Sequence, residues 1–217
     1  MTKTRSGLYV YVTWLARLMS GESACQWGIW FKTRYDYTRR PSDFDLAAWL
    51  AEHTRLVNEL AKERLALGEK CFRENQNQFR VRRKSGLIVS GKPDLITVDS
   101  RDHYCVYDSK TGNPKQSDVM QLMLYMVLLP LCPLCSGRSL DGYLVYKSGQ
   151  KQTIPSGAID AAFRDNISYF LELLEQNDAP PKVPHPSECR FCDIAAEDCT
   201  DRMELTEAET ELPDLPL

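Results

Sequence analysis

The sequence predicts an α/β fold in which one central mixed β-sheet is flanked by helices. Three observations predict it. The runs "DLITV" and "HYCVYDSK" are short, β-branched and aromatic, and the polar turn "DSRD" joins them, so they read as neighbouring strands of a hairpin. The stretch "QSDVMQLMLYMVLLP" that follows is a strongly apolar helix, and "DGYLVYKSGQKQTI" then returns to strand around a Ser148-Gly149 turn. Helical patterns bracket this middle on both sides.

In chain order, "GLYVYVTWLARLMSG" and "ESACQWGIWFKTRY" read as two helices with a glycine stop between them and Cys25 opening the second. After "TRRPSD", residues from about Phe44 to Leu67 form the longest helical pattern, which carries His53 and stops at Gly68. "EKCFRENQNQFRVRRKSGLIVSGKPDLITV" reads as strands turning at Ser85-Gly86. "AIDAAFRDNISYFLELLEQ" closes the series as a helix ending near Asn177. From Met203 the tail holds five acids and no base, the composition of a disordered or partner-binding strip.

Composition bounds the function. The chain has 217 residues, 43% hydrophobic and 26% charged, enough for one sizeable core plus a small appendage. A net charge of -3 excludes a wholly basic nucleic-acid binder but leaves local patches open. No run of about 18 apolar residues and no cleavable leader pattern is found, so a cytoplasmic protein without a membrane partner is expected. Eight cysteines in such a compartment are thiols or metal ligands rather than disulfides. Cys189, Cys192 and Cys199 form a C-x2-C-x6-C group after a proline-rich stretch. Spacing does not name a fourth ligand among Cys25, Cys71, Cys105, Cys132 and Cys135, and a zinc site from two C-x2-C pairs is a rival. Cys71 and Cys105 read as small buried hydrophobes.

Charges within apolar strands are expensive. Asp108 and Lys110 are two apart and share a strand face, and hairpin pairing brings Asp94 beside them. "GLIVSGKP" imitates a phosphate-binding loop, but Pro93 stands where a magnesium-binding hydroxyl is needed. Asn166-Ile167-Ser168 is a chance glycosylation match within a helix.

The series Gly91-Lys-Pro-Asp94, Asp108-Ser-Lys110 and Gln121-x3-Tyr125 resembles the PD-(D/E)XK nuclease core, and specifically its RecB-like branch. His53 matches that branch's upstream histidine, and Glu74 its glutamate near the first strand. One early and three late cysteines, Cys25 with Cys189, Cys192 and Cys199, look like the iron-sulfur staple of CRISPR-associated RecB-like exonucleases and related repair nucleases. Three departures stand out: aspartate at 108 where glutamate is commoner, the six-residue gap before Cys199, and the "CPLC" pair. The resemblance implies a restriction-endonuclease-like core at 41–178, N-terminal helices at 1–40, a cysteine segment at 179–202 and an acidic tail at 203–217. It also implies a metal-dependent DNA exonuclease acting on single-stranded ends, in spacer acquisition with the CRISPR adaptation integrase or in repair, stapled by a 4Fe-4S cluster with zinc as the alternative.

The chemistry fits those residues. Hydrolysing a phosphodiester needs an activated water and a cation for the phosphoryl charge. Asp94, Asp108, the Ser109 carbonyl and His53 are candidate ligands for Mg²⁺ or Mn²⁺. Lys110 would orient or deprotonate the water, and Gln121 and Tyr125, four apart on one helical face, would hold Lys110 or the phosphate. Arg80, Arg82, Arg83 and Lys92 are candidate DNA contacts, and Trp27, Trp30, Phe31 and Tyr35 candidates for base stacking. A zinc-stapled binding or scaffold module with a vestigial site, and an endonuclease cutting duplex, are the competing readings.

Overall fold

The structure, a computed structural model, describes residues 2–204; residues 205–217, most of the acidic tail, lie outside them. The elements run β1 (Lys3–Thr4), β2 (Tyr9–Tyr11), α1 (Val12–Met19), α2 (Gln26–Arg34), β3 (Tyr35–Asp36) and α3 (Leu46–Ala66). They continue with β4 (Lys70–Arg73), β5 (Phe79–Arg82), β6 (Ile88–Gly91), β7 (Leu95–Val98), β8 (Tyr104–Lys110) and α4 (Gln116–Leu128). The last are β9 (Leu140–Tyr146), β10 (Lys151–Ile154), α5 (Ala161–Glu175) and α6 (Pro186–Arg190).

Two expectations change. The run "GLYVYVTWLARLMSG" is only half helical: Tyr9–Tyr11 alternates aromatic and β-branched residues and pairs as a parallel strand with β6, and the helix starts at Val12. The strands also form more than one sheet. Among the described residues there is a five-stranded sheet, β10-β9-β8-β7-β4, a three-stranded sheet, β2-β6-β5, and the β1-β3 pair. The chain crosses between the two larger sheets from β6 to β7, over Gly91-Lys92-Pro93-Asp94. Pro93 offers no N–H to continue a ladder. A Cβ on Gly91 would lie 2.6 Å from the Phe79 ring and 2.7 Å from the Tyr125 ring, so only bare backbone passes there.

β8 is the middle strand of the larger sheet, antiparallel to β7 and parallel to β9. A parallel pair needs a crossover, which α4 supplies. α4 lies directly on the sheet, because a Cβ on Gly142 of β9 would be 2.7 Å from the Met126 sulfur and 2.9 Å from Leu122. Side chains of β7 and β8 alternate between two cores. Ile96 and Val106 join the large cluster under α1, α4 and α5, whereas Leu95, Cys105 and Tyr107 pack with Leu60 and Ala61 of α3 on the opposite face. Asp108 and Lys110 follow Val106 by even steps, so they emerge on the α4 side.

Caps fix the helices that matter most. Asp45 accepts a hydrogen bond from Ala48 N to start α3, and Gly68, at φ 80°, ends it as expected. Asp160 does the same for α5 through Phe163 N at 2.7 Å. The first helices dock on the last segment: Trp30 Nε1 donates to the Gln176 carbonyl at 2.9 Å, and Arg34 to that of Leu174 at 2.6 Å. Among the described residues, no helix is long and apolar enough to cross a membrane.

Candidate active site and a cysteine corner

The register of β7 on β8 pairs Leu95 with Tyr107; carried one step further, it sets Asp94 opposite Asp108. Asp94 Oδ2 accepts from the Ser109 backbone N–H at 2.6 Å and lies 3.1 Å from His53 Nε2, which reaches down from α3. Lys110 Nζ is 2.6 Å from Asp108 Oδ2 and 3.4 Å from Asp118, and donates to Gln121 Oε1 at 2.9 Å. The Gln121 amide donates to the Tyr125 hydroxyl at 3.1 Å. All seven, with Ser109, Glu74 and Lys92, line one cleft of about 590 Å³. Lys92 is 3.3 Å from Glu74 across it.

Burial sets the electrostatics. It pushes the Asp108 carboxyl up to about 6, with Lys110 opposing and Asp94 adding to the rise. Burial alone would lower Lys110, but Asp108, Asp118 and Asp94 outweigh it, and its pKa is raised. Beside these carboxylates Lys110 is held as an ammonium, a hydrogen-bond donor. The hydrogen bond to Asp94 raises His53 despite its burial. Tyr125 stays a phenol, since burial lifts it far above neutrality.

The side chains are turned on one another: among the described residues, no three or more His, Cys, Asp or Glu side chains are gathered so as to hold a metal ion. The donor set still suits a hard divalent cation. It is rich in oxygen, and Asp108 Oδ2 is buried beside Lys110 without an aligned hydrogen bond.

A family profile described as the PD-(D/E)XK nuclease superfamily matches residues 11–196. The chain belongs to the PD-(D/E)XK nuclease superfamily. Members are generally phosphodiesterases acting on nucleic acid, and they typically use Mg²⁺ or Mn²⁺. A solved structure titled "Crystal structure of SSO0001" is similar at 16% identity, over 88% of this chain and 85% of that one, with a TM-score of 0.47. No curated protein matches.

Beyond the PD-(D/E)XK cleft, the predicted DNA contacts separate. Only Lys92 reaches it. Arg83 faces α5, 3.4 Å from Glu175 and 3.8 Å from Glu172. Arg80 lies over the Tyr9 ring at 5.8 Å, and Arg82 borders another hollow beside Arg5 and Asp36. Trp30 and Phe31 are 7% exposed and belong to the core, so they are closed to bases; Trp27 stacks on Phe31 at 5.0 Å. Asp118 escaped the sequence reading, although its spacing to Gln121 and Tyr125, three and seven residues, places it on their helix face.

Apart from the cleft, Cys25 precedes the first turn of α2, and together with Cys189, Cys192 and Cys199 it lines one small cavity. The backbone around the thiols is pinned by other groups. Arg202, its side chain 5% exposed, donates to the carbonyls of Cys189, Cys192 and Ile194 at 2.6, 3.1 and 3.1 Å. Lys32 meets Asp193 at 2.5 Å, Tyr37 donates to Asp193 at 3.0 Å, and Glu188 accepts from Ala24 N at 3.1 Å. Cys132 and Cys135 do not line this cavity; they are buried in the large core. The structure thus does not join the two C-x2-C pairs that a shared zinc site would need. Cys71 and Cys105 pack against α3 and its sheet face, and burial pushes Cys105 up to about 11.

Proposed function

We propose that the chain is a metal-dependent DNA nuclease degrading single-stranded DNA from its ends. The observation that supports this best is the meeting of Asp94, Asp108, Lys110 and Gln121 in one cleft on the middle strand of the sheet. Asp94, Asp108, His53 and the Ser109 carbonyl would hold Mg²⁺ or Mn²⁺, which when bound supplies an acidified water and a counter-charge for the phosphoryl oxygens. Lys110 acts as a fixed ammonium. Held between Asp108, Asp118 and Gln121, it donates hydrogen bonds to the attacking water and to the charge that develops on phosphorus-bound oxygen. Gln121 fixes where that ammonium points, and Tyr125 fixes Gln121. Lys92 offers a phosphate contact at the rim.

Cys25, Cys189, Cys192 and Cys199 would hold a 4Fe-4S cluster, or zinc as the other metal suited to four thiolates. Their common cavity supports this. The role is structural, a tie between segments 164 residues apart, 189 minus 25. A place in CRISPR spacer acquisition beside the adaptation integrase belongs to the same reading, with repair as the other setting.

The test is degradation of end-labelled single-stranded DNA with Mg²⁺ or Mn²⁺ by protein purified without oxygen, beside Lys110→Ala and a closed circle. Loss in the variant with the circle spared is expected. A cut circle means an endonuclease, and no cleavage by intact protein means a binding module. Visible absorbance of the same preparation, compared with Cys192→Ser, separates an iron-sulfur cluster from zinc.

A further inference from the structure

The start of α3 is at odds with the rest of the molecule. Residues 46–51 read Leu-Ala-Ala-Trp-Leu-Ala, and all six are exposed. Phe44, just before them, is 60% exposed and Trp49 38%. Helices of folded domains turn their apolar stripe inward, and among the described residues of α3 the buried ones are Val57, Leu60 and Ala61. Phe44, Trp49 and Leu50 line the cleft instead. The Trp49 indole stacks on the His53 ring, centroids 5.1 Å and planes 18° apart, and the Phe44 ring stands 6.3 Å from that indole. His53 in turn touches Asp94. An open aromatic surface therefore begins one side chain from the carboxylates.

We propose that Phe44 and Trp49 form a shelf on which an unpaired base stacks beside the scissile phosphate, so that the cleft selects strands with free base faces. The proposal rests on the nuclease reading above. Aromatic side chains stack on any base, because every base has a π-face. Lys92 and Lys115 border the same cleft, so the site offers a flat apolar surface and cations side by side, the complement of one nucleotide's base and phosphate. In a duplex those base faces are already covered, and exposing one costs unstacking.

The experiment uses the full chain with chelator present, titrated against single-stranded oligonucleotides carrying one 2-aminopurine at successive positions from the end. Quenching at one or two positions is expected. Trp49→Ala removes the quenching and weakens binding about tenfold; Phe44→Ala, which keeps the Trp49–His53 stack, weakens it less, and Trp49→Phe restores most of it. An abasic site at the quenched position weakens binding to the wild type but adds nothing in Trp49→Ala. With Mg²⁺ or Mn²⁺ restored, Phe44→Ala raises KM and leaves kcat near the wild-type value. If the wild type cleaves DNA while no position is quenched, or cleaves abasic and intact strands with equal KM, the shelf is overturned and the nuclease reading stands. If intact protein cleaves no DNA, both fall. Self-association lost in Phe44→Ala with DNA binding unchanged would make this face an interface between copies and overturn the shelf.

Discussion

The cleft and the cysteine corner both gather residues from distant parts of the chain, but they hold their reactive atoms differently. In the cleft those atoms are each other's partners: His53 lies on Asp94, and Lys110 on Asp108. Their positions depend on mutual charge, so a change to one is felt by all. In the corner the carbonyls and neighbours of the cysteines are held by Arg202, Lys32 and Glu188. The thiols are carried there by a frame in which sulfur takes little part, through one contact from Met203 N to Cys189 Sγ at 3.4 Å. A site can thus be organised by its own chemistry or by scaffolding around it, and the two respond to substitution in opposite ways.

The sharpest contrast comes from Lys110→Ala. On the proposed mechanism it removes a donor aimed at developing charge, and it should lower kcat by about 10² or more, with circular dichroism unchanged. Arg202→Ala is the corner's counterpart. It strands three carbonyls and should cost about 3 kcal/mol of stability, read as a lower thermal midpoint, with faster hydrogen exchange confined to residues 186–202. Equal damage to folding from both variants would erase the distinction between the two regions.

A smaller effect probes the pairing of His53 with Asp94 in chelated protein. The folded-state pKa of His53 is raised above its ordinary value by the Asp94 hydrogen bond. Its contribution to stability is therefore complete below about pH 6.5 and is lost as pH rises through the raised value. The difference between the wild type and His53→Ala in melts should be about 1 kcal/mol larger at pH 5.5 than in alkaline buffer. The least change belongs to Asp118→Asn. It keeps the shape and an acceptor for the Tyr146 hydroxyl, which donates to Asp118 Oδ2 at 3.2 Å, but loosens one side of Lys110, and kcat should fall about threefold to tenfold with KM unmoved.

The sequence made the polar cleft legible because its signals are local. Two-residue spacing puts Asp108 and Lys110 on one strand face, and a short turn puts Asp94 opposite. Gln121 and Tyr125 follow from helix spacing in the same way. What failed to show depends on long-range partners. Alternation at Arg80 and Arg82 fixes a face but not what stands before it, and Arg83 finds its acids on α5, about ninety residues later. The strand at Tyr9–Tyr11 was hidden since it runs straight into α1, and its parallel partner β6 is far along the chain. Trp49 lies four residues before His53, the spacing that stacks rings on a helix, so that neighbour was open to view.

Gly91 gives the step between the sheets an unexpected weight. Phe79 belongs to one sheet's hairpin, Tyr125 to the Gln121 network, and both rings close on the same bare α-carbon, three residues before Asp94. A single added methyl would wedge strand from helix at the point where the first carboxylate takes its aim. Gly91→Ala would then be a mutation whose strain falls on the first carboxylate's approach to the cleft, a mechanical fault felt as a chemical one.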